Sequence, residues 1–146
     1  MSLLEKAISI AVEAHRGQKD KVGAPYILHP LSVMGRVEGE TEKIVAVLHD
    51  VVEDTEWTFE DLKREGFTDV ILQAVKCLTR NEEESYEDFV KRAASNPVAL
   101  RVKLADLEDN MDFRRLALVT QKDVERVTKY LWAWRYLKGL GSAHTG

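Results

Sequence analysis

The 146-residue chain is poor in the residues that mark several protein classes: it has one cysteine, three prolines and eight glycines. A single cysteine, Cys77, excludes an intrachain disulfide and any zinc site built from cysteine pairs. The apolar runs are far shorter than the roughly 20 residues of a membrane helix. The charges of Glu5, Lys6 and Glu13 leave no apolar segment for a signal peptide, so we expect a cytoplasmic protein.

Positive charge is not in excess either. The formal net charge is −4, which argues against a nucleic-acid surface because such a surface needs a basic face. A small anionic ligand is still compatible, because a few local cations or a metal ion outweigh the global charge. We therefore expect one soluble domain over residues 1–146 that has neither nucleic-acid nor membrane partners.

The spacing of apolar residues predicts helices along almost the whole chain. Capping patterns mark three helix starts, at residues 58–61, 85–88 and 120–123, and Pro97 opens another helix. Strand-like alternation is absent from the sequence. We predict an all-α orthogonal helical bundle whose third helix runs without a break from about Thr41 to Glu53. A tail at about 141–146 is predicted to be disordered.

The strongest chemical signal is the run His49-Asp50-Val51-Val52-Glu53-Asp54, which follows the apolar segment 44–48. Residues four apart share a helix face, so His49 is expected near Glu53, and Asp50 near Asp54. Three carboxylates and an imidazole at the end of a buried helix are costly unless a metal or a reaction requires them. The pattern indicates a divalent-metal hydrolase centre.

Two further segments complete a predicted ligand set of two imidazoles and two carboxylates: His29, His49, Asp50 and Asp106. This set suits Mn²⁺, Fe²⁺, Co²⁺ or Zn²⁺ better than Ca²⁺. A cation there would polarise a phosphoryl oxygen and activate water. Glu53 and Asp54 are then available to position the water and to act as general base and acid. Lys103 lies three residues before Asp106, so both side chains are expected to face one cleft, where we expect Lys103 to bind a substrate phosphate.

Four sequence blocks resemble, in order, the hydrolase domain of the RelA/SpoT family of HD-domain phosphohydrolases: Ala14–Gln18, Pro25–Leu31, His49–Thr55, and Lys103–Asp106 with Asn110. The small, single-domain alarmone hydrolases are the most similar in size. The resemblance implies Mn²⁺-dependent removal of the 3′-pyrophosphate from guanosine tetra- or pentaphosphate. It also implies that the four ligands above bind the metal and that Glu53 and Asp54 are catalytic. Lys21, Asn110 and Tyr130 match positions that contact the nucleotide.

The chain departs from the family pattern where positive charge is expected near the nucleotide. Asp20 replaces an arginine that packs on the base, and Leu107 replaces a basic residue; Asp109 and Asp112 are further changes of this kind. These departures leave two alternatives open. One is a phosphohydrolase for another nucleotide, such as an adenine alarmone, a nucleoside monophosphate or a dinucleotide. The other is a non-catalytic nucleotide sensor. Neither the native metal nor the oligomeric state follows from the sequence.

Overall fold

The computed structural model describes the backbone of residues 1–143 and the side chains through residue 139. Over this range the chain forms nine α-helices, and its only β-type pairing is an isolated bridge between Lys19 and Pro25. The helices are α1 Leu3–Ala14, α2 Leu28–Gly35, α3 Glu40–Leu48, α4 Val51–Asp54, α5 Phe59–Arg64, α6 Asp69–Cys77, α7 Tyr86–Ala94, α8 Pro97–Asn110 and α9 Gln121–Ala143. The all-α prediction is confirmed. The predicted tail at about 141–146 lies outside the described residues, apart from the backbone of 141–143.

Local capping starts the helices where the sequence predicted it. Thr58 accepts a hydrogen bond from the Asp61 N–H, and the Asp61 carboxylate accepts one from the Thr58 N–H. Ser85 caps α7 by accepting from the Asp88 N–H at 3.1 Å. Thr120 forms the same kind of contact before α9. These side chains satisfy N–H groups that have no partner within the first turn of a helix.

The central helix is interrupted at the His-Asp pair. α3 ends at Leu48 and α4 begins at Val51, so the prediction of one continuous helix from about Thr41 to Glu53 is wrong. Neighbouring residues on a continuous helix point about 100° apart. The turn at His49-Asp50 instead lets both side chains face one point, with His49 Nε2 and Asp50 Oδ2 only 3.2 Å apart. The two side chains therefore meet at the break between α3 and α4.

Two apolar clusters hold the helices together and leave a cleft between them. The larger cluster centres on α3, whose residues Ile44–Leu48 are all buried and which packs against α1, α2, α6 and α8. The smaller cluster joins α7, α8 and α9 through a few side chains: Val90, Leu107, Ala133 and Leu137. α8 takes part in both, and a cavity of about 570 Å³ lies beside it. None of the described helices has the length and apolar character needed to cross a membrane.

Candidate metal centre

Three helices bring potential metal ligands to one point at the cavity wall. His29 comes from the first turn of α2, His49 from the end of α3, and Asp106 from the last turns of α8. Asp106 Oδ1 lies 2.9 Å from His29 Nε2 and 3.3 Å from His49 Nε2. One donor atom from each of the three residues lies within 4.8 Å of the others. This spacing suits a single cation held between them.

Both imidazoles are oriented by a contact of their other ring nitrogen. His29 Nδ1 lies 2.7 Å from Asp109 Oδ2, and His49 Nδ1 lies 2.5 Å from the Ala46 carbonyl oxygen. With Nδ1–H donating to these oxygens, Nε2 of each ring faces the site. Such contacts fix the tautomer that a metal ligand requires.

Asp50, the fourth predicted ligand, lies at the same point. Its Oδ2 is 3.2 Å from His49 Nε2 and 3.9 Å from His29 Nε2. The Tyr26 hydroxyl donates a hydrogen bond to that oxygen at 2.5 Å. Burial and the Asp50 carboxylate raise the pKa of Tyr26, so its proton stays in this contact. Sequence reasoning missed Tyr26, although its position three residues before His29 was a usable signal.

The carboxylates around the two imidazoles determine the sign of the charge that the site stabilises. Burial alone would lower both imidazole pKa values, but the surrounding carboxylates raise the pKa of His29 to about 10 and that of His49 to about 9. Burial opposes ionisation of Asp106, yet Lys103 and the two imidazoles hold its pKa well below the ordinary value. The site therefore favours positive charge. A divalent cation would supply that charge and leave both imidazoles neutral, so the donor set fits a metal.

The predicted catalytic pair lines the cavity beside these ligands. Glu53 Oε1 accepts a hydrogen bond from the Arg80 backbone N–H at 2.8 Å. Partial burial of the Asp54 carboxyl group and the charges of Asp50 and Glu53 raise the pKa of Asp54 to about 6. A carboxyl group with such a pKa can both accept and release a proton near neutral pH.

The four predicted substrate contacts also line the cavity, but three of them already have polar partners. Lys21 Nζ lies 2.9 Å from Asp123 Oδ1. Lys103 is buried with Nζ 3.2 Å from Asp106 Oδ2, and Asn110 Nδ2 donates to Asp106 Oδ1 at 3.2 Å. Tyr130 is half-buried, and burial raises its pKa. Their roles toward a substrate stay predictions.

Asp109, which the sequence shows only as a departure from the family pattern, contacts His29, one of the predicted ligands. Its carboxylate is buried, and besides His29 it accepts a hydrogen bond from the Ser32 hydroxyl at 2.6 Å. Arg36 approaches the same oxygen at 3.4 Å. Asp109 follows Asp106 by three residues, so the shared helix face was a signal for this contact.

Asp20 also has a place in the cavity wall that the sequence did not predict. Its Oδ2 pairs with Arg115 at 3.2 Å, and its Oδ1 accepts from the N–H groups of Val22 and Ala24. Both Asp20 and Arg115 line the cavity. A guanidinium group is therefore present at this wall, although it comes from the loop between α8 and α9.

An all-α bundle in which two histidines and two aspartates converge beside an acidic pair defines an HD-domain hydrolase. Comparison with related proteins supports this assignment. The guanosine-3′,5′-bis(diphosphate) 3′-pyrophosphohydrolase MESH1 of Danio rerio is 35% identical over 153 residues, which cover 95% of this chain and 84% of that protein. A GTP pyrophosphokinase of Streptomyces coelicolor is 36% identical over 89% of this chain. The chain spans only 17% of the length of that larger protein.

A solved structure supports the same relationship. It is of a metazoan ortholog of SpoT, described as hydrolysing ppGpp, and it matches with a TM-score of 0.78 and 25% identity over 96% of this chain and 88% of that one. No protein-family model matches the sequence. This chain belongs to the RelA/SpoT-type family of HD hydrolases.

Proposed function

We propose that this protein is a metal-dependent guanosine-3′,5′-bis(diphosphate) 3′-pyrophosphohydrolase. The observation that carries the proposal is the convergence of His29, His49 and Asp106, with an acidic pair, Glu53 and Asp54, beside them in one cavity. The names of the Danio rerio relative and of the structural neighbour support the same activity. We propose Mn²⁺ as the metal, held by these three ligands and Asp50, because mixed imidazole and carboxylate sets suit such ions.

Bound at these ligands, the metal supplies Lewis acidity toward a phosphoryl oxygen and lowers the pKa of water. The protein's own residues do the rest. The Asp54 carboxylate accepts a proton from the attacking water and returns it to the leaving oxygen. Glu53, held by the Arg80 N–H, orients the water. Lys103 keeps Asp106 ionised and contributes positive charge at the cavity wall.

Another nucleotide is the second candidate substrate, and the Asp20–Arg115 pair favours it. A carboxylate at the cavity wall accepts hydrogen bonds from donors on a base, whereas an arginine stacks on the face of the base. Adenine alarmones, nucleoside monophosphates and dinucleotides are the compounds to compare. We further propose a cytoplasmic location and a small-molecule nucleotide as the only substrate class.

A nucleotide panel tests these proposals directly. The Mn²⁺-loaded protein is incubated with guanosine tetraphosphate, its adenine counterpart, a nucleoside monophosphate and a dinucleotide, and the products are resolved chromatographically. We expect pyrophosphate release from guanosine tetraphosphate. No turnover of that compound, beside clear turnover of another nucleotide, would select the second candidate. Binding of nucleotide without any product would select a sensor, although such a protein has no need of Glu53 and Asp54.

A further inference from the structure

One wall of the cavity carries an aromatic ring surrounded by cations. Tyr86, at the start of α7, has the Lys129 ammonium 4.1 Å from its ring centroid. The Arg80 guanidinium carbon and the Lys103 ammonium lie 5.9 and 6.0 Å from the same centroid. All four residues line the cavity. Three positive charges therefore converge on one tyrosine.

Two of these cations have no acidic partner. Lys103 pairs with Asp106, but in the part of the chain whose side chains are described no carboxylate forms an ion pair with Arg80 or Lys129. Among the described residues, the Arg80 guanidinium group donates only to the neutral carbonyl oxygen of Glu84. Burial lowers the pKa of Lys129, and the charges of Arg80 and Lys103 lower it further. This wall holds positive charge that an anion would stabilise.

The Tyr86 hydroxyl adds an unused donor to the same place. Its oxygen is buried and forms no hydrogen bond within the described structure. A buried polar group without a partner costs free energy, so native proteins satisfy nearly all such groups. A hydroxyl donor on a ring that cations surround can join those cations in binding a phosphate oxygen.

We propose that Arg80, Tyr86 and Lys129 form a second phosphate site, which binds a phosphoryl group other than the one at the metal centre. The inference rests on the proposed function and narrows its substrate class. Lys103 lies between the two sites, because its Nζ is 3.2 Å from Asp106 Oδ2 and 6.0 Å from the Tyr86 ring. The two sites are therefore close enough for the two phosphoryl groups of one diphosphate.

The second phosphate site gives the enzyme a means of selecting a diphosphate over a monophosphate. In 3′-pyrophosphate hydrolysis, the water oxygen bonds to the phosphorus next to the ribose. The bond from that phosphorus to the ribose 3′ oxygen breaks, and the ribose oxygen takes a proton. Both phosphoryl groups stay in the product, pyrophosphate. The distal group occupies the second phosphate site throughout, so pyrophosphate itself is a suitable probe.

Calorimetric titration of the metal-free protein with inorganic pyrophosphate, and separately with phosphate, tests the site. We expect pyrophosphate to bind more tightly than phosphate. Arg80→Gln and Lys129→Gln should each weaken pyrophosphate binding about tenfold, because each removes one charge-assisted contact. The matched control is Lys122→Gln, which removes the same charge from an exposed position on α9 outside the cavity and should leave binding unchanged.

Tyr86→Phe separates binding from packing. The phenylalanine keeps the ring beneath Lys129, so a purely structural role predicts no change. A phosphate role predicts weaker pyrophosphate binding, by about three- to fivefold, with an unaltered melting temperature. The proposal is overturned if Arg80→Gln, Lys129→Gln and Tyr86→Phe all bind pyrophosphate as tightly as the wild type.

The result of the pyrophosphate titration does not depend on whether the proposed hydrolase function is correct. Pyrophosphate binding is measured without turnover, so a protein that hydrolyses no nucleotide can still show the second phosphate site. Conversely, the protein could hydrolyse guanosine tetraphosphate while the variants bind pyrophosphate as tightly as the wild type. That result would refute the second phosphate site and leave the proposed function standing. For the active enzyme, Lys129→Gln should raise KM for a 3′-diphosphate substrate while Mn²⁺ affinity stays at the wild-type value.

Discussion

The contact between Asp109 and His29 gives a quantitative prediction for metal affinity. Asp109 Oδ2 accepts from His29 Nδ1 at 2.7 Å, and the Ser32 hydroxyl holds the other carboxylate oxygen at 2.6 Å. Asp109 is buried, so water does not replace the contact readily when it is lost. We expect Asp109 to orient the imidazole and to increase its basicity toward the metal.

The size of the effect depends on how much of the contact a variant keeps. Removing a carboxylate that supports a metal-binding histidine typically costs 10- to 100-fold in metal affinity. Asp109→Asn keeps an oxygen that can accept from Nδ1 but loses the charge, so we expect about a tenfold loss, or ~1.4 kcal/mol. Asp109→Ala removes both the acceptor oxygen and the charge, so the loss of metal affinity should approach 100-fold, or ~2.7 kcal/mol.

Calorimetric titration of apoprotein with Mn²⁺ at neutral pH measures this loss directly. The control is Glu108→Gln on the same helix, since Glu108 bonds to Trp134 Nε1 at 3.1 Å and a glutamine oxygen can accept that bond. It should leave Mn²⁺ affinity unchanged. Wild-type affinity in Asp109→Ala, at an unchanged melting temperature, would refute the assigned role of Asp109 and the orientation of His29 drawn from it.

Three further predictions concern ligation, catalysis and acid stability. Asp50→Ala should remove Mn²⁺ binding and hydrolysis together, because Asp50 Oδ2 lies 3.2 Å from His49 Nε2; titration and product assays check this. Glu53→Gln should keep Mn²⁺ affinity while kcat falls roughly 10²-fold, because the neutral amide orients the attacking water less well than the carboxylate. Glu84→Gln should lower the melting temperature by a few degrees at pH 7, because two Arg92 nitrogens donate to Glu84 at 2.8 Å. Arg92 lowers the pKa of Glu84, so this stabilisation is complete above the ordinary pKa of about 4.3 and is lost as pH falls below it.

Each of these three predictions has a result that contradicts it. Full Mn²⁺ affinity in Asp50→Ala would exclude Asp50 as a ligand and leave His29, His49 and Asp106 as the ligand set. Wild-type kcat in Glu53→Gln would exclude that residue from the chemistry. A melting difference for Glu84→Gln that persists unchanged to pH 3 would show that the neutral glutamine loses something other than the ion pair. Glu83→Gln, an exposed change in the same loop, is the control for the last experiment.

The fold class and the chemical types of the site were predictable because they depend on local patterns. Helix periodicity and capping act over three or four residues, so the starts marked by Thr58, Ser85 and Thr120 were correct. The types and spacing of the ligand residues indicated a metal centre before any contact was known. Their roles as ligands stay predictions, but His29, His49 and Asp106 do converge.

Tertiary structure alone decided how the ligands are supported and what surrounds them. The contact between His29 and Asp109 joins residues 80 apart in the chain, and that between Lys21 and Asp123 joins residues 102 apart. Periodicity carries no information over such separations, because these pairs meet only when helices pack. The break between α3 and α4 at His49 and Asp50 was likewise missed, because the sequence pattern predicted one continuous helix there. The amino-acid sequence thus determined the helices and the donor atoms, and the packing of α2 and α3 against α8 determined which carboxylates orient those donors.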